Sequence, residues 1–188
     1  SEWVAFARRP GRFGVAVPTG SRPPVWFTAK PDRHFFGHGV FSSGGRLLYA
    51  TENDYKNARG MIGVRDATDG YRQIGEFDAR GMEPHDIALL GDRRTMVIAN
   101  GGIRTHPDSG ATELNLPDMR PSLVYVDVET GDLIEEQKLS ADLHQLSIRH
   151  LAVAARDLVV FRCQFRRPED ETPPLIGFPR LGHAPVTL

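Results

Sequence analysis

Several features that would assign this chain to a familiar class are scarce in its sequence. It has one cysteine, Cys163, which excludes an intrachain disulfide and a cysteine-ligated zinc site. No apolar run approaches the roughly 18 residues of a membrane-spanning helix. The 23 basic and 24 acidic residues are scattered, unlike the basic surface of a nucleic-acid-binding protein. We therefore expect neither a membrane span nor a nucleic-acid partner.

Signals for export and for well-known enzyme chemistry are also missing. The chain opens SEWVAFARRPGRF, which has no apolar segment of a signal peptide, and a strand-like stretch follows Arg8-Arg9. The sequence has no Gly-x-Ser-x-Gly, phosphate loop, dinucleotide fingerprint or His-Glu-x-x-His. Helical periodicity is almost absent. No cofactor can be named from these patterns, and no catalytic residue is predicted.

What the sequence does contain is a repeat built around three histidines. His38, His85 and His150 are each followed by a short apolar stretch, a turn, and a five-residue apolar run that ends in polar residues. His85 follows His38 by 47 residues and His150 follows His85 by 65, the excess matching an insertion at 103–121. A fixed period of this length indicates a repeat architecture.

The second half of each unit repeats as well. Residues 61–77 and 122–139 both contain a strand-like stretch, an aspartate, three residues, a glycine and a second strand-like stretch. This spacing predicts a hairpin in which the glycine provides the positive φ that the turn requires. The aspartates, Asp66 and Asp127, are interpreted as turn residues.

Each unit is therefore predicted to form four short strands, the first beginning just after the histidine. The second strands are nearly continuous apolar runs, which indicates burial on both faces, whereas the third and fourth are more amphipathic. Four strands per unit, apolar inside and polar outside, predict an all-β fold of β-propeller blades. A β-sandwich is the alternative, but it does not predict the period. The predicted blades are 4–30 (the end of one), 37–80, 84–140 with its insertion at 103–121, and 149–178 (the start of the next).

The predicted blades amount to about three and a half. Because propellers close with at least four blades, we expect the chain to be part of a longer polypeptide. The terminal blades of an open arc expose apolar faces and unpaired strands. An isolated chain is then expected to self-associate.

Several segments together resemble an uncharacterised bacterial family of unknown function. They are GHGVFSSGGRLLYATENDY, GMIGVRDA, PHDIALL, VIANGGIRTHPDSG, LNLPDM, PSLVYVD and LHQLSIRHLAVA, and the resemblance runs from about Val4 to about Phe178. It implies a seven-bladed propeller related to WD-repeat and quinoprotein-type rings, exported by the twin-arginine route to the periplasm. It also implies nearly twice this length, with a leader and three further blades, and a link to periplasmic iron uptake. No catalytic residue can be carried over from this family.

The strand order predicts that one face carries most of the histidines and every long loop. Long loops on a rigid scaffold are where ligands usually bind, and a propeller mouth is concave. The candidate metal ligands are the three repeated histidines, since neutral imidazole binds zinc, copper and iron well. The candidate ligand-binding residues are Glu52, Asn53, Asn100, Arg104 and Arg149.

Each candidate also has a structural interpretation. The repeated histidine can tie a loop to its own strand, as in WD repeats, and Glu52-Asn53-Asp54 can serve a turn instead of binding a cation. Arg104 and Arg149 can hold an anion or form packing and loop salt bridges. Cys163 is expected to be a buried, inert thiol rather than a nucleophile.

The function expected from the sequence is non-enzymatic: an exported propeller that binds a small ligand, a metal ion or a protein partner at its loop-bearing face. The alternative is a metal- or cofactor-assisted enzyme, lactonase-like or quinoprotein-like, with its site in the central mouth. Which ligand or cofactor it uses is not specified by the sequence.

Overall fold

The computed structural model describes residues 2–154, 157–166 and 173–182, which form four antiparallel sheets of consecutive strands. The first sheet contains β1 (Glu2–Phe6), β2 (Phe13–Pro18) and β3 (Val25–Thr28). The second contains β4 (Arg33–Phe41), β5 (Leu47–Asp54), β6 (Arg59–Asp66) and β7 (Arg72–Asp78). The third contains β8 (Pro84–Leu89), β9 (Thr95–Asn100), β10 (Ser122–Asp127) and β11 (Leu133–Lys138). The fourth contains β12 (Leu146–Val153), β13 (Val159–Phe165) and β14 (Ile176–Gly177).

The apolar core lies between neighbouring sheets. Ile62 of the second sheet and Ile98 of the third share one buried cluster, and Tyr125 of the third and Phe161 of the fourth share another. Sheets that stack face to face in chain order, each a four-stranded meander or part of one, are the blades of a propeller. The predicted fold class, all-β with propeller blades, is confirmed.

Burial agrees with the prediction for the second strands β5 and β9 and for the fourth strands. It differs for the second strand β13, which alternates buried and less buried residues, and for the third strands. All six residues of β9 are buried, whereas β7 has no buried residue and β11 has one. The third strands β6 and β10 are buried almost throughout, so the expectation that they are amphipathic is wrong. Neighbouring sheets cover both faces of a third strand, and only the fourth strand forms the exposed outer edge.

The first strand of each repeat starts before its histidine, not after it. β4, β8 and β12 begin at Arg33, Pro84 and Leu146, so the sheets start a few residues ahead of the expected boundaries at 37 and 149. In all three strands the histidine lies where the register of pairing shifts. A β-bulge interrupts both the hydrogen-bond ladder and the alternation of side chains. The residues before each histidine therefore lack the alternating pattern by which a strand is recognised in a sequence.

The two aspartates before the hairpin glycines make the predicted turns. Asp66 Oδ1 accepts the backbone N–H of Thr68 at 2.9 Å, and Asp127 Oδ1 accepts that of Glu129 at 2.8 Å. The glycines four residues further on have φ of 57° and 76°. These are side-chain-closed turns of the kind that aspartate favours.

Three short 3-10 helices complete the described residues: Pro107–Ser109, Leu116–Asp118 and Ala141–Leu143. None of the helices in the described part of the chain has the length and apolar character to cross a membrane.

Candidate functional site

Three neighbouring sheets bring their repeated histidines to one point. The first strands β4 and β12 both lie against β8, so the bulges of all three strands meet. The ring of His85 lies 5.2 Å from that of His38 and 4.9 Å from that of His150, centre to centre, and His38 and His150 are 5.2 Å apart. Bulges commonly redirect side chains next to functional sites, and here each one turns an imidazole towards the other two.

The ring nitrogens of this histidine cluster, His38, His85 and His150, are close enough for shared ligation. One nitrogen from each residue lies within 4.8 Å of the other two. A tetrahedral zinc ion with bonds of roughly 2.0–2.1 Å holds its ligand atoms about 3.3 Å apart. Side-chain rotations that move the nitrogens by about 1–1.5 Å would close that difference, which is within reach of partly exposed imidazoles.

Asp86 links two of these histidines and orients one of them. Its Oδ1 lies 3.1 Å from Nδ1 of His38, and its Oδ2 lies 3.8 Å from Nδ1 of His150. The carboxylate also accepts the backbone N–H groups of Leu151 and Ile87. Burial favours the neutral acid, but these hydrogen bonds, led by the one from His38, outweigh it and lower the pKa of Asp86. A carboxylate that accepts Nδ1–H leaves Nε2 of His38 as the ligand atom, the usual arrangement around protein-bound zinc.

His85 is held in its neutral form. Burial, followed by the positive charge of Arg149, lowers the pKa of His85 to about 3. Neutral imidazole is the form that ligates metals. Arg149 Nη1 lies 3.4 Å from Nδ1 of His85 and can only donate, so this long contact favours the tautomer with its proton on Nε2. A metal bound at Nε2 would displace that proton and loosen the contact with Arg149.

The cluster differs from the arrangement that a purely structural histidine makes, and His34 shows the contrast. His34 is 2% exposed, its Nδ1 lies 3.0 Å from the carbonyl of Phe35, and its Nε2 lies 2.9 Å from Nδ2 of Asn53. Both of its ring nitrogens are engaged within its own sheet. In His38, His85 and His150 the rings instead face side chains of neighbouring sheets.

A cavity of about 290 Å³ opens beside His85. Four arginines line it from three separate parts of the chain: Arg8, Arg9, Arg149 and Arg166. The other described lining residues are Phe36, Glu83, His85 and Gln164. We call this the arginine cavity.

Glu83 lies at the centre of these arginines. Its Oε1 is 2.6 Å from Nη1 of Arg149 and 3.5 Å from Nη1 of Arg9. The side chain of Glu83 is 1% exposed, and burial raises its pKa although Arg149, Arg9 and Arg166 act in the opposite direction. Its backbone has φ of 55°, a left-handed conformation that costs a non-glycine residue of order 1–3 kcal/mol. The surrounding contacts therefore hold Glu83 in a strained position immediately before Pro84 and His85.

Three of the proposed ligand-binding residues lie in the interior of the sheets. Glu52 is fully buried, with Oε1 2.8 Å from Nη2 of Arg65. Asn53 contacts His34, as described above, and Asn100 donates from Nδ2 to the carbonyl of Ala79 at 2.9 Å. The structure places none of these three side chains in the arginine cavity.

The two remaining ligand-binding candidates, Arg149 and Arg104, lie in different places, and Cys163 is buried. Arg149 lines the arginine cavity, whereas Arg104 is exposed in the insertion and lies outside it. Cys163 is 1% exposed, and burial raises the pKa of its thiol to about 12, which agrees with an inert thiol.

Sequence reasoning missed Glu83, Asp86 and the arginines other than Arg149. One signal was available for the two acids, because both flank the repeated histidine in Glu83-Pro84-His85-Asp86. Arg8-Arg9 attracted notice only as a pair that is not an export signal. Nothing local in the sequence indicates that it reaches the cavity near His85.

Fold and site together define an all-β protein of propeller-blade architecture with a histidine cluster where the inner strands of three sheets meet. The chain belongs to the family described as "Protein of unknown function (DUF1513)", whose model matches residues 1–188. A comparison with curated proteins finds no match. Among solved structures, the chain is similar to hydrazine synthase of Kuenenia stuttgartiensis, with 11% identity and a TM-score of 0.45. The alignment covers 93% of this chain and 57% of that one.

Proposed function

We propose that this protein is a binding propeller whose histidine cluster holds one divalent transition-metal ion. The observation that supports this is the convergence of three imidazoles from three bulged strands. Nitrogen ligands of this kind suit zinc, copper, iron and nickel, whereas calcium and magnesium require oxygen ligands.

The charges around the cluster favour a cation over an anion as the occupant. Asp86 contributes a carboxylate beside His38 and His150. Arg149 is the nearest positive charge, and Glu83 neutralises it at 2.6 Å. His85, held neutral by burial and by Arg149, which lower its pKa, carries no charge to attract an anion.

A metal-assisted enzyme is the second candidate function. Three protein ligands leave a fourth position of a tetrahedral ion open, as in catalytic zinc sites. The arginine cavity adjoins His85 and offers room for a substrate there. A lactonase-like hydrolysis would use metal-bound water as the nucleophile, whereas a quinoprotein-like oxidoreductase would need a cofactor with its own absorbance.

The size of the complete ring, the export route, the cellular location and the physiological role are proposed from the family resemblance alone. It supports a seven-bladed ring, twin-arginine export, a periplasmic location and a role near iron uptake. One structural observation agrees with further blades. Trp3 and Trp26 of the first sheet are 75% and 65% exposed, and Ile176 of the fourth sheet and Phe178 just after it are 52% and 55% exposed. Further blades would cover these side chains, and without them the isolated chain would self-associate, which sedimentation measurements would detect.

The test of the metal site is a titration of chelator-treated protein with Zn²⁺ and Cu²⁺, followed by calorimetry and metal analysis. We expect about one equivalent to bind to the wild type. The triple variant His38→Ala/His85→Ala/His150→Ala should bind none while keeping its circular dichroism spectrum. His144→Ala, which alters a histidine outside the cluster, is the matched control and should bind normally.

Thermal unfolding provides a second readout. A metal present at a hundred times its Kd stabilises the folded state by about 2.7 kcal/mol, equivalent to a Tm increase of roughly 5–10 °C for a chain of this size. The increase should appear in the wild type and in His144→Ala and be absent in the triple variant. Equal metal binding by a folded triple variant, or none by the wild type, would overturn the proposal.

A further inference from the structure

The arginine cavity contains a guanidinium group whose pairing is incomplete. Arg149 uses Nη1 to bind Glu83, while its Nε and Nη2 are buried and have no hydrogen-bond partner among the described residues. The side chain is only 9% exposed. Leaving buried, charged N–H groups without a partner is costly, so a polar group that belongs in this position has to come from elsewhere.

The free edge of Arg149 has the geometry of a carboxylate receptor. Nε–H and Nη2–H point in the same direction, and this edge of a guanidinium grips the two oxygens of a planar carboxylate through parallel hydrogen bonds. Arg166 offers a second such donor, because Nη2 binds Glu113 at 2.7 Å while its buried Nε has no partner among the described residues.

The charges of the cavity indicate how many carboxylates it suits. Four arginines line it, and two acids, Glu83 and Glu113, are paired with them, which leaves two positive charges uncompensated among the described residues. Phe36 adds an apolar wall for a short carbon chain, and Gln164 adds an amide. A volume of about 290 Å³ lies at the small end of ligand pockets.

We infer that the arginine cavity binds a small organic dicarboxylate, with one carboxylate on the Nε–Nη2 edge of Arg149 and the other near Arg9 and Arg166. This site goes beyond the proposed metal site and does not depend on it. The two sites share His85, so a bound acid would lie next to the histidine cluster.

The test is calorimetric titration of chelator-treated protein with succinate, and with acetate and inorganic phosphate for comparison. We expect succinate to bind with a stoichiometry near one and more tightly than acetate. Loss of a charge-assisted pair of hydrogen bonds should weaken succinate binding roughly tenfold to a hundredfold in Arg149→Met. Arg72→Met is the matched control, since Arg72 forms an exposed ion pair with Asp69, and it should bind as the wild type does.

Arg149→Met leaves Glu83 buried without its main partner, so this variant could lose succinate binding by misfolding. A second variant tests the inference without that complication. Arg166→Met removes the other donor from a half-buried position and should also weaken succinate binding by about tenfold or more. The double variant His38→Ala/His150→Ala, which leaves every lining residue of the cavity in place, should lose the metal but still bind succinate, which separates this inference from the proposed metal site. Absence of succinate binding, tighter binding of phosphate than of succinate, or unchanged affinity in a folded Arg166→Met would overturn the inference.

Discussion

The buried pair of Arg65 and Glu52 allows one test of the scaffold to be worked out in detail. The two side chains are 1% and 0% exposed, and Arg65 Nη2 lies 2.8 Å from Glu52 Oε1. Arg65 also donates from Nη1 to the carbonyl of Thr28 at 3.1 Å, and its guanidinium lies over the rings of Phe27 and Phe35 at 5.2 and 5.0 Å. The change we consider is Arg65→Met, which keeps an unbranched apolar stem and removes the charge.

Arg65→Met should destabilise the fold by about 3–5 kcal/mol, since Glu52 would remain buried without its partner. For a chain of this length that corresponds to a Tm decrease of roughly 6–20 °C. The double variant Glu52→Gln/Arg65→Met removes the uncompensated charge and should recover part of the loss. Arg72→Met breaks only an exposed pair and should change stability by less than about 0.5 kcal/mol.

The loss should also depend on pH in a defined direction. Burial raises the pKa of Glu52, and Arg65 partly offsets that rise. Without Arg65 the folded-state pKa moves further above the unfolded value of about 4.3, so the folded state holds the proton more tightly. Stability then falls as pH rises between those two values, and the deficit of the variant grows from acid to neutral pH.

Urea denaturation of wild type and variants at pH 5 and pH 8 would measure this. We expect a larger deficit for Arg65→Met at pH 8 and a nearly pH-independent deficit for the double variant. A deficit below about 1 kcal/mol, or one equal at both pH values, would refute the argument that Glu52 is part of the scaffold and depends on Arg65 for its charge.

Three further predictions concern close packing, thiol reactivity and a turn. An added Cβ at Gly60 would lie 2.5 Å from Cδ of Pro84, so Gly60→Ala should cost about 1–3 kcal/mol in urea denaturation, whereas Gly44→Ala has open space and should cost little. Cys163 should react with a thiol reagent only after denaturation, because burial raises its pKa to about 12, and rapid labelling of the native chain would contradict this. Hydrogen bonds from the side chain and backbone of Thr68 lower the pKa of Asp66. The stabilising effect of the Asp66 carboxylate should therefore be present above about pH 4 and be lost as pH falls through its folded-state pKa. Asp66→Asn should therefore approach the wild type in stability at low pH, and a constant difference down to pH 2 would count against the turn assignment.

The sequence was sufficient to predict the features that depend on neighbouring residues. The aspartate–glycine spacing around Asp66 and Asp127 specifies the turns because the aspartate side chain closes them locally. The uninterrupted apolar run of β9 indicates burial on both faces, and the 47-residue period indicates repeated sheets. These patterns repeat along the chain, so the fold class follows from them.

The candidate site depended on distances across sheets, which no local pattern specifies. Glu52 and Asn100 look like mouth residues from their place at the ends of apolar strands, yet both point into the interior. Glu83 appears unremarkable in sequence, but it pairs with Arg149, 66 residues away, and with Arg9, 74 residues away. The repeated histidines, by contrast, stood out through their period.

The sequence by itself determined that this chain forms repeated antiparallel sheets with a histidine at an equivalent point in three of them. Only the tertiary structure decided that these histidines face one another, because that depends on three bulges and on how β4, β8 and β12 lie side by side. The tertiary structure also decided that Arg8-Arg9, Arg149 and Arg166 share one cavity. The alternation of apolar and polar residues within a strand sets how strands pair, and a sequence shows it directly. The packing of one sheet against the next sets which side chains converge, and no local pattern shows that.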